Sequence, residues 1–189
     1  MTGAFRGAAE GVVSEPDDPS SEAEERRSFA CPPGRGLFEG LDLAFLDPAD
    51  PDERSVLIRA EHPDLAAAIR RGEEEVVVGG VTMNPRLHLT IHEVVANQLW
   101  ADDPPEVWRT ARLLLGLGYE RHEILHMIGS AFSSELWQVL AAGEPSDPAR
   151  YVRALEALPG SRGAARPSRP PHGRHRPKRP KRPKRRRSR

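Results

Sequence analysis

The sequence predicts an all-α protein: a compact bundle of about five or six helices with at most a small β-hairpin, set between a disordered acidic head and a disordered basic tail. Three observations carry this expectation. Helix-start signals recur at regular intervals between residues 50 and 148. The segments between them carry apolar residues at helical spacing and are joined by short connections. Composition changes sharply at both ends of that region, which divides the chain into residues 1–35 (head), 36–158 (helical domain) and 159–189 (tail).

Taken in order, residues 1–35 are acidic, small and rich in Pro and Ser. They hold too little apolar area to offset chain entropy, so the sequence predicts disorder. Asp50-Pro51-Asp52-Glu53 combines an N-cap, a proline at the first helical position and an acid at the third, and starts a helix through Arg59. His62-Pro63 opens a short second helix ending near Gly72. Glu75–Val78 and Val81–Met83 flank Gly79-Gly80, a pair suited to a two-residue hairpin turn. Asn84-Pro85 starts a helix to about Trp100, and Asp103-Pro104-Pro105-Glu106 starts another that ends at the Gly116–Gly118 break. A long helix runs from Glu120 to about Ala142, stopped by Gly143. Asp147-Pro148 starts the last, which ends before Pro159. Trp100, Trp108 and Trp137 sit among apolar neighbours and are expected to pack in the core.

The formal net charge of +0 hides a segregation. Fourteen of the 28 basic residues lie between Gly160 and Arg189 with no acid among them, so the other fourteen share residues 1–159 with all 28 acids. The tail repeats Arg-Pro-Lys at 176–178, 179–181 and 182–184, and proline every third residue favours an extended chain. Arg176, Lys178, Arg179, Lys181, Arg182, Lys184, Arg185, Arg186 and Arg187 form a dense cationic run suited to nucleic acid or another polyanion. No aromatic residue follows Tyr151, so base stacking is unavailable to it. Cys31 is the lone cysteine, which excludes an internal disulfide and fits a reducing compartment. The sequence shows no secretory signal and no apolar stretch of membrane-spanning length. The expected location is cytoplasmic.

The chemistry-bearing residues are histidines. His88 and His92 fall on one predicted helix, His122 and His126 on another, each pair at i,i+4 and therefore on one face. His88 and His92 continue into Val95 and Leu99. His122 and His126 flank the stripe of Leu125, Ile128, Phe132 and Leu136, so both pairs lean toward the interior. His122-Glu123-Ile124-Leu125-His126 is also an H-E-x-x-H motif, in which two histidines bind zinc and the glutamate is the general base. Gly129 falls where the longer metzincin pattern has its glycine, but Phe132 stands where its third ligand belongs. If the two helices face each other, His88 or His92 supplies a third ligand, with Glu93 as an additional ligand or outer partner. The metal this donor set suits is zinc or iron, and metal-dependent hydrolysis through Glu123 is the chemistry it would support. The competing reading is a non-catalytic interaction or adaptor protein, with half-buried structural histidines bonded to carboxylates or carbonyls. His62 reads as a cap or loop residue, Asp102-Asp103 as capping, and Cys31 as part of the head.

The stretch from Asn84 through Leu99, beginning Asn-Pro-Arg-Leu-His, then Asp102-Asp-Pro-Pro-Glu106 and Arg121-His-Glu-Ile-Leu-His126, resembles the bacterial domain-of-unknown-function family 1841. The similarity runs from about Leu46 to Ala141 and includes the Leu-Asp-Pro and Glu-His-Pro stretches. The resemblance implies a small helical bacterial protein and carries no activity with it.

Overall fold

The computed structural model describes residues 19–161, except 142 and 144. The described chain contains seven helices: α1 (Pro19–Ala30), α2 (Pro51–Ala60), α3 (Pro63–Arg70), α4 (Pro85–Ala101), α5 (Glu106–Gly116), α6 (Arg121–Leu140) and α7 (Pro148–Ser161). Two short antiparallel hairpins interrupt them, β1 (Leu37–Phe38) with β2 (Leu41–Asp42) and β3 (Val76–Val78) with β4 (Val81–Met83). The fold is therefore mostly α, as the sequence predicts, with the expected hairpin at β3–β4 and a second, unexpected one at β1–β2.

The expected starts are built as the residue chemistry dictates. Asp50 accepts from the backbone N–H of Asp52 at 2.8 Å and of Glu53 at 3.2 Å, satisfying two donors that the first turn of α2 leaves open. Asn84 does the same for Leu87 at 3.0 Å and fixes the start of α4. Gly79 and Gly80 both take positive φ, which closes the β3–β4 turn with Val78 opposite Val81. The tight start expected at Asp103 is built differently. Asp102 adopts a left-handed conformation as the C-cap of α4, and Pro105 stands at the N-cap position of α5 with no side-chain capping bond.

Three expectations are corrected. Residues 19–30 are helical, not disordered, and Cys31 is buried beneath Leu43 and Leu57. Helix α1 has little apolar face, and specific polar contacts hold it instead. Arg26 is buried, donates to the carbonyls of Leu99 and Trp100, and lies 3.5 Å from Asp102. Glu22 accepts from the Trp108 indole at 3.1 Å and from Arg112 at 2.7 Å. Helix α7 does not stop before Pro159 but continues to Ser161. A proline in the last turn costs one backbone bond, while Leu155 and Leu158 still anchor the helix on the core. Trp137 is 67% exposed near the end of α6; Trp108 is buried and Trp100 packs at the core edge. Residues 1–18 and 162–189, with the expected disorder of the head and the cationic run of the tail, lie outside the described residues.

The main core joins α4, α5, α6 and α7 through Val95, Leu99, Val107, Ala111, Leu114, Ile124, Ile128 and Leu155, all without solvent exposure. Helices α4 and α6 approach closely because Gly129 lies against α4. A Cβ at that position would sit 2.7 Å from Ile91 Cγ2, inside any tolerable contact. That approach sets the distance between the two histidine pairs.

Candidate metal centre

Each histidine is placed by a different piece of local structure. The capped, proline-led start of α4 fixes the phase of that helix. Leu89, Val95, Ala96 and Leu99 then face the core, and His92 is buried among them with His88 one turn earlier at the edge. On α6, Ile124, Leu125 and Ile128 take the core face, which puts His122 and His126 on the exposed rim. The α6 pair is thus less interior than the sequence suggests, because the apolar stripe beside it has the stronger claim to burial.

The four expected histidines meet. Ring centres are separated by 4.7 Å for His88–His92, 5.1 Å for His88–His126, 5.3 Å for His92–His122, 4.9 Å for His92–His126 and 4.4 Å for His122–His126.

A fifth imidazole joins them. His62 occupies the N-cap position of α3 but makes no capping bond. Its ring lies 4.4 Å from His92, 5.0 Å from His122 and 5.4 Å from His88. The residue before a proline is held out of the helical region, which projects His62 from the start of α3 toward the α4–α6 seam. The neighbouring Glu61 is tied to Arg121 at 2.6 and 3.2 Å, and Arg121 also donates to the carbonyls of Phe29 and Ala30. One arginine thereby fastens the end of α1, the start of α6 and the residue beside His62.

The topology of the five rings is specific. His92 touches all four others. Around it His62, His88, His126 and His122 form a closed circuit, and only the diagonals His62–His126 and His88–His122 lack ring contact. Two sets of three ligand nitrogens converge within 4.8 Å, His62/His92/His122 and His88/His92/His126, with His92 common to both.

Neither converging set includes a carboxylate. Glu93 accepts a 2.7 Å hydrogen bond from Ser55 Oγ of α2, and Glu123, beside His122, is half-buried. Cys31 is not a ligand; burial pushes its thiol up to about 11.

Burial disfavours the protonated form at four of the five imidazoles. Burial first, and then repulsion from the neighbouring histidines, lowers His92 to about 2 and His62 and His126 to about 4. His88 is lowered for the same reasons. Neutral imidazole is the metal-binding form. Among the described residues, no hydrogen bond is made to a ring nitrogen of any of the five. The rings are thus held by packing against one another and not by bonds to carboxylates or carbonyls of the described chain.

Comparison with known proteins places the chain in one family. Residues 48–157, more than half of the 189-residue chain, match the family described as Domain of unknown function (DUF1841). The matched region contains all five histidines, and the chain belongs to that family. Neither a curated protein nor a solved structure matches it.

Proposed function

We propose that this member of the DUF1841 family is a metal-binding protein that holds zinc or iron with ligands drawn from His62, His88, His92, His122 and His126. One observation supports this reading above the others. Five imidazoles crowd into one cluster, and no ring nitrogen among them has a hydrogen-bond partner in the described chain. Packing alone gives no reason to gather five imidazoles at contact distance, where protonation of any one is disfavoured by the others. A transition ion satisfies all of them at once, and imidazole is a good donor for zinc and iron. Glu93 is bonded to Ser55, which favours an outer role for it over direct ligation.

Hydrolysis is the chemistry that H-E-x-x-H adds to this reading. The rim position of His122 and His126 leaves the cluster open to solvent, and Glu123 adjoins it on α6 as the candidate general base. The test is elemental analysis of purified protein together with its His92→Ala and His122→Ala variants. Bound metal in the parent that is lost from the variants is the expected result. A metal-free parent that also fails to take up zinc or iron in solution removes the proposal.

The charge segregation favours a second, separate activity. The cationic run from Arg176 to Arg187 is suited to polyanions such as nucleic acid, without sequence preference, through release of counterions. Among the described residues, no helix is long and apolar enough to cross a membrane. With a single cysteine, a reducing cytoplasmic setting suits the protein.

A further inference from the structure

The donor topology says how many ions the cluster holds and of which class, a step that rests on the metal-binding reading. We propose that the five imidazoles hold one divalent transition ion in a square-pyramidal set. His92 is the apex, His62, His88, His126 and His122 form the base, and one open position lies opposite His92.

The pattern of ring contacts carries the argument. With metal–nitrogen bonds near 2 Å, a coordinated imidazole has its centre about 3.2 Å from the ion, so rings at right angles lie about 4.5 Å apart and opposite rings about 6.4 Å apart. A square pyramid has eight right-angle pairs and two opposite pairs. Here eight pairs are in contact at 4.4–5.4 Å, and the two pairs without contact are the diagonals of the four-ring circuit. The ligand nitrogens converge as two triads that share His92, so forming the pyramid requires side-chain rotation that brings the two triads onto one ion.

A tetrahedral four-imidazole site does not fit. It requires four rings that all adjoin one another, and any four of these five include at least one diagonal. Two separate three-imidazole ions fit no better. Both would claim His92, through its two ring nitrogens, and neither set contains a carboxylate to offset the charge of two dications held close together. A single ion held by one set of three would leave two imidazoles at contact distance without a partner.

The ion class follows. Zinc prefers four ligands in a tetrahedron. Iron(II), nickel(II) and copper(II) accept imidazole and favour five- or six-coordinate or tetragonal geometry. His92 is buried while His122 and His126 are exposed, so the sixth position faces solvent and takes water or one small exogenous ligand.

The experiment uses the full chain, stripped with chelator and loaded with copper(II), nickel(II), iron(II) or zinc(II). Bound metal is counted by elemental analysis after removal of excess, and copper coordination is read by electron paramagnetic resonance. His62→Ala and His88→Ala are the informative variants, because both side chains are only half-buried and retained helicity is checked by circular dichroism. The expected result is one ion per chain and a tetragonal copper spectrum with hyperfine structure from four equatorial nitrogens. Both variants then lose one nitrogen from that pattern and at least tenfold in copper and nickel affinity. Two ions per chain overturn the proposal, as does one ion whose binding ignores either substitution; metal binding itself survives both results. Failure to bind any of the four metals overturns the proposal and the metal-binding reading together.

Discussion

Acid should destabilise the metal-free protein through His92, by an amount the structure sets. His92 is 6% exposed and its imidazole is lowered to about 2, chiefly by burial. In the unfolded chain the same group titrates near its model value of 6.5. Between these limits the unfolded state binds a proton that the folded state refuses, so stability falls as pH falls below 6.5. The slope is about 1.4 kcal/mol per pH unit, which makes the loss from His92 alone about 2 kcal/mol at pH 5. His62 and His126 act with the same sign down to about 4, though contact with solvent weakens their share. The assay is urea unfolding of chelator-treated protein at pH 7 and pH 5, beside His92→Gln. Other groups titrate alike in both proteins, so the difference between their pH dependences isolates His92. The parent should lose about 2 kcal/mol more than the variant over that interval, about 1 M in urea midpoint for a domain of this size. Identical pH dependence in the two proteins would refute the reasoning, because it would mean that His92 is solvated or already protonated in the fold.

Other outcomes follow from the same geometry. Gly129→Ala puts a methyl 2.7 Å from Ile91 Cγ2, so thermal melts should show a loss of about 1–3 kcal/mol that Ile91→Ala partly restores. An unchanged melting temperature in the single variant would show that α4 and α6 do not depend on that close approach. Arg26→Ala removes the donor to the Leu99 and Trp100 carbonyls, and hydrogen exchange should accelerate over residues 19–30 before it does in the main core. Glu123→Gln should retain metal while abolishing any hydrolysis found on peptide and ester panels; metal loss in that variant would make Glu123 a ligand. A chain ending at Ser161 should stay folded yet lose low-salt nucleic-acid retention, and equal retention by both chains would take polyanions away from the tail.

Six of the seven helices were legible because their starts are written in local chemistry. Asp50-Pro51 and Asn84-Pro85 specify a cap and a first turn without reference to the rest of the chain, and Asp147-Pro148 does so for α7. Helix α1 was not legible for the converse reason. Its sequence is polar, and it is held by partners about 70 to 90 residues away, with Arg26 on α4, Glu22 on α5 and Arg121 reaching back to its last carbonyls. The site divides in the same way. His88, His92, His122 and His126 announce themselves by helical spacing, whereas His62 stands alone before a proline and has no periodicity to place it. Its one signal was negative: histidine is a poor N-cap, so its place at the start of α3 invited a second explanation.

That mismatch at His62 belongs to a wider conflict between stability and the cluster. Elsewhere local chemistry and packing agree: Asp50 and Asn84 cap, Val95 and Leu99 fill the core, and Gly129 admits Ile91. At the α3–α4–α6 junction they disagree. His92 takes a buried slot that an apolar residue would fill without a desolvation cost on protonation, and four more imidazoles are set against it at contact distance. Four of the five, His62, His88, His92 and His126, lower metal-free stability in acid, while the main core continues without them through Val107, Leu114 and Leu155. Sequences break their own rules of consistency mainly where function requires it. A ligand that binds the folded cluster and not the unfolded chain returns stability in proportion to the logarithm of its concentration over its dissociation constant. The same crowded, partly buried imidazoles that make the metal-free fold acid-sensitive are therefore the source of its affinity, and substitutions that relieve the first should weaken the second.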